Sequence, residues 1–428
     1  MANHEKNNNW RSSSSSSNQD LNCRTPLIKI GAGLSNLGNT CFLNSVLQCL
    51  TYTPPLAAYL ESRQHNATCR ATGFCTMCAL QDHVKQALTS PGGVVSPAYL
   101  VKNLRNISKT FRPWRQEDAH EYMRYLIDSL DNCCTPSGTT SSSSSSQDTS
   151  VIQKIFGGRL RSQVKCTICS TCSNTYDPLL DLSLEINRAD SLTKALNRFT
   201  AVEALEGDNE YYCANCQKKV RALKQFTIDK SPTILTIQFK RFSGSDSSGG
   251  KIDKNIDFGR TLAMKPYISN LQDCDANYSL YGVLVHAGWS THSGHYYCFV
   301  RTAGNLWYNL DDSRVKQVTE KTVLDQKAYI LFYMRDPAGR SSIGGDQSET
   351  NSSPALRSWL SDGAGDVEND MDGGADEYEG NNCQHPSRGN GACCNSRLYS
   401  KASCQDSNSP ALRFSTRKVD RVTPMWRL

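Results

Sequence analysis

Residues 33–48 carry the stretch GLSNLGNTCFLNSVLQ, in which a turn rich in Gly and Asn runs directly into a cysteine. Apolar residues then recur at helical spacing through residues 42–50, which predicts a helix that begins at Cys41. Unpaired N–H groups and aligned peptide dipoles at a helix start favour negative charge, and the thiolate is the nucleophilic form of cysteine. The turn also offers amide and N–H donors to an oxyanion. Cys41 is therefore either a nucleophile or a buried cysteine at an ordinary helix start.

A second segment contains the partners that a nucleophilic thiol needs. Residues 292–300 read HSGHYYCFV, and residues 307–312 read WYNLDD. A strand that opens at His295, followed by a hairpin, is expected to bring Asp311 beside His295. An imidazole that titrates near neutrality can take the proton of Cys41, and a carboxylate fixes its tautomer. Cys, His and Asp in this chain order form a cysteine-protease arrangement.

Two other histidines are rivals for the role of base. We place His286 inside a strand and His292 in the loop before Gly294. A lone histidine is more often structural than catalytic, so we expect His286 and His292 to be structural and His295 to be the base.

The composition narrows the class of protein. The chain has 428 residues, of which 38% are hydrophobic, and both ends are polar and of simple composition, so the core is expected in the middle. The net charge of +6 is a mild excess that does not by itself imply nucleic acid. We see no apolar leader after Met1 and no apolar run long enough for a membrane span. The 19 cysteines are then expected to be reduced, some of them on metal, in the cytoplasm and/or the nucleus.

Shifts in composition divide the chain into three parts. The predicted parts are a disordered arm at residues 1–30, a folded domain at residues 31–336 with a flexible Ser-rich insertion at about 135–150, and a disordered tail with an acidic run at residues 337–428.

Helical periodicity dominates the first half of the domain, and β-branched and aromatic residues dominate the second half. The predicted helices cover residues 41–50, 79–88, 97–104 and 116–130, and the predicted strands cover residues 234–239, 278–286, 295–301 and 328–334. Helices first and strands later indicate an α+β fold.

The two segments resemble the two signature boxes of the ubiquitin-specific proteases, which are papain-like cysteine peptidases that remove ubiquitin. The resemblance rests on the whole stretch at 33–48 and on Gly-His-Tyr at 294–296 followed by Trp-x-x-x-Asp-Asp at 307–312, and it extends over residues 31 to about 336. It implies a helical thumb, a β-rich palm and zinc-ribbon fingers. It also implies roles for five residues: nucleophile for Cys41, base for His295, orienting acid for Asp311, oxyanion side chain for Asn36 and assisting carboxylate for Asp312.

A third match is QEDAHEY at residues 116–122, where Asp118 and Glu121 lie three positions apart on one face of a predicted helix. In the family this helix borders the channel for the C-terminal tail of ubiquitin. The resemblance implies that Asp118 and Glu121 pair with arginines of that tail, since charge-assisted pairs are strong. The alternative is an amphipathic helix with a solvated acidic face.

Two C-x-x-C knuckles predict a metal site. Cys166 and Cys169 form the first, and Cys213 and Cys216 form the second. Each knuckle presents two thiolates, and two knuckles complete the tetrahedral set that structural zinc prefers. Redox dithiols or free surface thiols are the alternative. The resemblance agrees with one structural zinc in the fingers, which strands at residues 156–164, 176–186 and 224–228 are expected to form, and Cys172 is out of register for it.

A second group of metal-ligand types precedes these knuckles. It comprises His65, Cys69, Cys75, Cys78 and His83, with a single C-x-x-C and an unusual spacing. The spacing leaves two interpretations open, a second metal site or ordinary thiols near a helix start, and we leave this group out of the predicted zinc ligands.

The resemblance implies a thiol-dependent deubiquitinating protease. It would hydrolyse the isopeptide or peptide bond after the C-terminal glycine of ubiquitin through a thioester, with ubiquitin and ubiquitinated proteins as partners and without nucleic acid or membrane. Three alternatives remain: a non-catalytic ubiquitin-binding scaffold of the same fold, a zinc-dependent nucleic-acid binder suggested by the knuckles and the net charge of +6, and a general papain-like protease.

Overall fold

The structure is a computed structural model that describes residues 29–134, 149–242, 251–270, 276–290 and 293–337. All of these lie in the first of two compact units, Met1–Ala364, and the second unit, Gly365–Leu428, lies outside them. Nearly all of the predicted arm, insertion and tail lies outside the described residues, and so does His292. Within these ranges no helix is long and apolar enough to cross a membrane.

Helices come first along the chain. They are α1 (Cys41–Thr51), α2 (Pro54–Ser62), α3 (Gln64–Thr68), α4 (Thr76–Thr89), α5 (Ala98–Lys102), α6 (Leu104–Ile107), α7 (Ala119–Cys134) and α8 (Val151–Phe156). Every residue of α1 is buried, because α1 packs against α7 on one side and against sheet strands on the other. Phe42 of α1 meets Tyr122 of α7 edge to face, with ring centroids 5.5 Å apart. The helix that begins at Cys41 is thus the centre of the helical half.

Strands dominate the rest of the described chain. Two short strands, β1 (Gly33–Leu34) and β2 (Val94–Val95), pair with each other in parallel. The later strands are β3 (Gly158–Cys166), β4 (Cys172–Leu179), β5 (Leu182–Leu184), β6 (Glu203–Leu205), β7 (Tyr211–Cys213), β8 (Lys218–Val220), β9 (Ala222–Lys230), β10 (Ile234–Phe239), β11 (Thr261–Ala263), β12 (Asn277–Ser290), β13 (Ser293–Arg301), β14 (Trp307–Asp311), β15 (Arg314–Val318) and β16 (Ala328–Arg335). Helices α9 (Leu192–Phe199) and α10 (Glu320–Leu324) lie between them, with short 3-10 turns at Gly207–Asn209 and Lys265–Tyr267.

Eight strands form a large sheet in the order β15-β14-β13-β12-β16-β10-β5, with β11 on β12. All pairs in it are antiparallel except β10 with β5. Side chains alternate between its two faces, so Leu284 and Phe332 join the core under α1 and α7, whereas Val283 and Leu331 join a second core on the opposite face. The sheet therefore holds β13 and β14 directly beside α1.

A second sheet extends from this body as β4-β3-β9-β6, and the hairpin β7–β8 lies beyond it. Two of the predicted metal ligands lie at strand ends in this region: Cys166 closes β3 and Cys213 closes β7. The helical part, the large sheet and this extension correspond to thumb, palm and fingers, so the α+β prediction is confirmed.

Some predicted bounds are wrong, for local reasons. The helix predicted at residues 116–130 begins at Ala119, because Asp118 Oδ1 accepts the N–H of Glu121 at 2.9 Å and so caps the helix. The helix predicted at residues 97–104 divides into α5 and α6 at Asn103. The strand predicted at residues 176–186 divides into β4 and β5, since the chain passes there from one sheet to the other.

Candidate active site

Cys41 is the first residue of α1 and is almost fully buried, at 1% exposure. The turn before it is closed by Asn36, whose Oδ1 accepts hydrogen bonds from the N–H groups of Gly38 at 3.0 Å and Thr40 at 3.2 Å. Gly38 has a φ of +95°, and a Cβ there would lie 2.9 Å from the Trp114 ring. A glycine is thus required for the turn that delivers Cys41 to the helix start.

His295 lies between Cys41 and Asp311. Its Nε2 is 2.5 Å from Asp311 Oδ1, which leaves Nδ1 for the thiol of Cys41. The hydrogen bond with Cys41 raises the pKa of His295 to about 9, with help from Asp311, while burial opposes this rise. Both partners favour the charged imidazole, so His295 is a cation near neutral pH and lies beside the thiol of Cys41.

The β13–β14 hairpin places Asp311. Antiparallel pairing sets Cys298 opposite Leu310 and Arg301 opposite Trp307, so the end of β14 returns to the start of β13, where His295 lies. The hairpin therefore brings Asp311 beside His295, as the sequence predicts.

Gly294 fixes the approach of His295 to the thiol. Its φ is +152°, and a Cβ there would lie 2.4 Å from His286 Nε2 and 2.5 Å from the carbonyl oxygen of Ala287. His286 is buried in β12 beneath this glycine, and neither of its ring nitrogens has a hydrogen-bond partner within the described ranges. Burial lowers the pKa of His286 to about 4, so it is a neutral packing residue in this structure.

Asp312 fixes the turn before Cys41. Its Oδ2 accepts from Asn36 Nδ2 at 2.9 Å, and its Oδ1 accepts from Asn44 Nδ2 at 2.8 Å. Asn36 is therefore held beside Cys41, and since a primary amide has two hydrogens, one hydrogen of Nδ2 remains beyond the bond to Asp312.

Gln116 is a site residue that the sequence reasoning missed. Its Nε2 donates to the carbonyl oxygen of Gly294 and lies 3.9 Å from Cys41 Sγ. It ties the segment before α7 to the strand that carries His295. The signal is present, because Gln116 opens the QEDAHEY segment, but the sequence-based prediction covers only the acidic residues of that segment.

The structure separates the two predicted ubiquitin-binding acids. Asp118 caps α7, and its Oδ2 accepts hydrogen bonds from Tyr329 at 2.7 Å and Tyr296 at 3.5 Å. Glu121 is exposed in the first turn of α7. Asp118 precedes the helix and does not share a helix face with Glu121. Both carboxylate oxygens of Asp118 already accept hydrogen bonds within the protein.

The four predicted zinc ligands converge at the end of the finger strands. The Sγ atoms of Cys166, Cys169, Cys213 and Cys216 all lie within 4.8 Å of one another. Cys166 is 3.9 Å from Cys216 and Cys169 is 3.6 Å from Cys213, measured between sulfurs.

These distances fit a tetrahedral metal. With metal–sulfur bonds of about 2.3 Å, tetrahedral geometry puts the sulfurs about 3.8 Å apart. The N–H groups of Ile168 and Cys169 point at Cys166 Sγ at 3.4 and 3.5 Å, and hydrogen bonds of this kind orient ligands around a metal. The cluster could hold a metal ion, and the exposed Cys172 lies outside it.

Comparison with known proteins agrees with this architecture. Ubiquitin carboxyl-terminal hydrolase 23 of Arabidopsis thaliana is 56% identical over 318 residues, which is 74% of this chain and 37% of that protein. Human ubiquitin carboxyl-terminal hydrolase 42 is 44% identical over 330 residues, 77% of this chain and 24% of that protein. This chain thus spans about a third or less of the length of these two relatives.

A solved structure described as the SAGA Ubp8/Sgf11/Sus1/Sgf73 DUB module bound to ubiquitin aldehyde superimposes with a TM-score of 0.63. The sequence identity is 31%, and the match covers 72% of this chain and 70% of that chain. The model of the family "Ubiquitin carboxyl-terminal hydrolase" matches residues 32–333. Because that match covers more than half of the chain, the protein belongs to the ubiquitin carboxyl-terminal hydrolase family.

Proposed function

We propose that this chain is a thiol-dependent deubiquitinating protease, with a catalytic domain at residues 31–336. The observation that carries the proposal is the contact of His295 with both Cys41 and Asp311, which raises the pKa of His295 to about 9. The names of the relatives and the ubiquitin aldehyde in the superimposed structure support ubiquitin as the substrate.

The proposed reaction begins with an ion pair between a thiolate on Cys41 and the imidazolium of His295. The Cys41 thiolate attacks the carbonyl carbon of the terminal glycine of ubiquitin and forms a carbon–sulfur bond. The carbonyl oxygen becomes an oxyanion, for which Asn36 Nδ2 and the N–H of Cys41 are the proposed donors. The N–H of Cys41 has no acceptor within α1 because it is the first of the helix. Such donors stabilise the transition state more than the ground state.

The proton on His295 then goes to the leaving amine, a lysine Nζ or a peptide nitrogen, as the carbon–nitrogen bond breaks. This leaves a thioester between Cys41 and ubiquitin. His295, now neutral, takes a proton from water, and the resulting hydroxide equivalent attacks the thioester. Cys41 leaves as a thiolate, ubiquitin is released with a free carboxylate, and the ion pair is restored.

We further propose that Glu121 contacts the basic tail of ubiquitin. It is exposed at the start of α7, the helix that Gln116 joins to the site through Gly294. Asp118 already accepts hydrogen bonds from the helix and from two tyrosines. We therefore expect Asp118 to interact more weakly with the ubiquitin tail than Glu121 does.

We propose a structural zinc on Cys166, Cys169, Cys213 and Cys216. Four thiolates are the soft ligands that Zn²⁺ accepts in tetrahedral sites, and their spacing matches such a site. When bound, zinc would cross-link the ends of the finger strands and would take no part in the reaction. The thirteen cysteines of the described ranges are not joined in disulfides, which supports the proposal of a reducing compartment, cytoplasm or nucleus.

The test is reaction with ubiquitin whose C-terminus carries an electrophile, followed by mapping of the adduct. We expect one adduct, on Cys41, and none with Cys41→Ser. The matched control is Cys172→Ser, which removes an exposed thiol outside the site and is expected to react as the unmutated chain does. An unmutated chain that binds ubiquitin but neither forms the adduct nor hydrolyses a ubiquitin–fluorophore conjugate would be a scaffold, and the proposal would fail.

A further inference from the structure

A second cluster of metal-ligand atoms lies in the helical half of the domain, far along the chain from the finger cysteines. Its members are His65, Cys69, Cys75 and Cys78, whose ligand atoms all lie within 4.8 Å of one another. His65 Nε2 is 3.2 Å from Cys75 Sγ. His83, the fifth residue of the sequence pattern, is not part of this group.

The spacing that looked unusual in the sequence becomes two regular pairs in the fold. His65 lies in α3 and Cys69 follows directly after it, four positions on, so both face the same side of one helical turn. Cys75 precedes α4 and Cys78 lies in its first turn, which is a C-x-x-C knuckle. The intervening loop, residues 70–74, folds back and brings the two pairs together.

The local packing of α3 supports a ligand role for His65. The helix has five residues, and its only buried side chain is that of His65. A helix of this length is not stable by itself, and here its one buried side chain is polar and lies against the sulfur of Cys75. A buried polar group needs a partner, and a metal ion shared with the three cysteines would supply one to His65.

We propose that His65, Cys69, Cys75 and Cys78 bind a second structural zinc ion. Three thiolates and one imidazole are a common tetrahedral donor set for Zn²⁺. The ion would pin α3 and the 70–74 loop to the start of α4, a helix that packs against both α2 and α7. It would act as a cross-link in the thumb, separate from the zinc proposed for the fingers and independent of the catalytic proposal.

A further thiol near the cluster serves as an internal control. Cys133 of α7 lies 3.7 Å from Cys75 Sγ, yet it is outside the tetrad. The proposal therefore predicts that Cys133 is not a zinc ligand, although it lies next to Cys75.

The first test is the zinc content of the full chain, purified without added metal and measured by elemental mass spectrometry and native mass spectrometry. We expect two zinc ions per chain in the unmutated protein and one in Cys213→Ser/Cys216→Ser, which lacks the finger site. Cys69→Ser/Cys78→Ser is expected to hold one, and the combination of all four substitutions none. Cys133→Ser is expected to keep two. A finger variant with no zinc, or a Cys133→Ser chain with one, would overturn the assignment.

The second test does not depend on deleting a ligand of the cluster. The finger variant is loaded with Co²⁺, whose visible absorption bands report the number of sulfur and nitrogen ligands. We expect bands of an S₃N tetrahedral site, and in the same background His65→Cys is expected to keep one Co²⁺ with bands that move to those of an S₄ site. A spectrum that His65→Cys leaves unchanged would show that His65 is not a ligand and would refute the proposed set.

Discussion

Asp312 Oδ2 accepts a hydrogen bond of 2.9 Å from Nδ2 of Asn36, across 276 positions of the chain. The neighbouring Asp311 is bonded to His295. Two adjacent carboxylates thus serve different parts of one site: Asp311 orients His295, the proposed base, and Asp312 holds the turn that precedes Cys41, the proposed nucleophile. The two parts of the site, one before α1 and one after β14, are joined by these bonds.

The first prediction concerns this second carboxylate. Asp312→Asn keeps the side-chain shape, and Asn tolerates the φ of +49° at this position. Its amide offers one acceptor oxygen where the carboxylate offered two, so Asn36 or Asn44 loses its acceptor. Hydrogen bonds to charged groups contribute about 1.5–3 kcal/mol, so we expect kcat/KM for a ubiquitin–fluorophore conjugate to fall by about 10- to 100-fold. Asp325→Asn, at an exposed carboxylate paired with Lys321, is the control, and equal kinetics for the two variants would contradict the role of Asp312.

The second prediction is a pH profile. The pKa of about 9 for His295 means that the imidazolium is lost as the pH rises through this value, and kcat/KM should fall there. Asp311 raises the pKa of His295 because a carboxylate favours the charged imidazole, so Asp311→Asn must move the alkaline limb to lower pH. The measurement is kcat/KM against pH for the unmutated chain, Asp311→Asn and Asp325→Asn. A limb that stays in place in Asp311→Asn would show that Asp311 does not act through His295.

Much of this site was predictable because its signals are local. The Gly- and Asn-rich turn and the apolar spacing after it predicted a helix from residue 41, and α1 begins there. The alternation around residues 295–301 predicted a strand that matches most of β13. In both cases the local pattern and the tertiary packing favour the same element.

What could not be predicted depends on contacts between distant segments. Nothing in the sequence says that Gln116 donates to the carbonyl oxygen of Gly294, since that bond joins residues 178 positions apart. The capping role of Asp118 was missed because an acidic residue before a helix reads equally as a cap or as part of an acidic face. The 65–78 cluster was left open for the same reason: only the fold of the loop brings its two pairs of ligands together.

The third prediction concerns the backbone beside His295. Gly294→Ala puts a Cβ at a φ of +152°, 2.4 Å from His286 Nε2 and 2.5 Å from the Ala287 carbonyl oxygen. Backbone strain of this kind costs about 1–3 kcal/mol, so we expect a lower melting temperature. A displaced His295 should also lower kcat/KM by about 10- to 100-fold. In Gly304→Ala the nearest atom is 4.0 Å away, so this matched variant should change neither quantity. The interpretation fails if both glycine variants behave alike.

The last prediction compares two finger cysteines, one inside the proposed zinc site and one outside it. Cys213 is buried at 2% exposure and belongs to the four-thiol group, whereas Cys172, at the start of β4, is exposed and outside it. Removing one ligand from a structural zinc site lowers metal affinity steeply, because binding and folding of such a site are coupled. We expect Cys213→Ala to lose one zinc ion per chain and to make the finger strands more sensitive to limited proteolysis, while Cys172→Ala keeps its zinc and its protease resistance. If the two variants hold the same amount of zinc, the finger tetrad is not a metal site, and another force must hold the ends of β3 and β7 together.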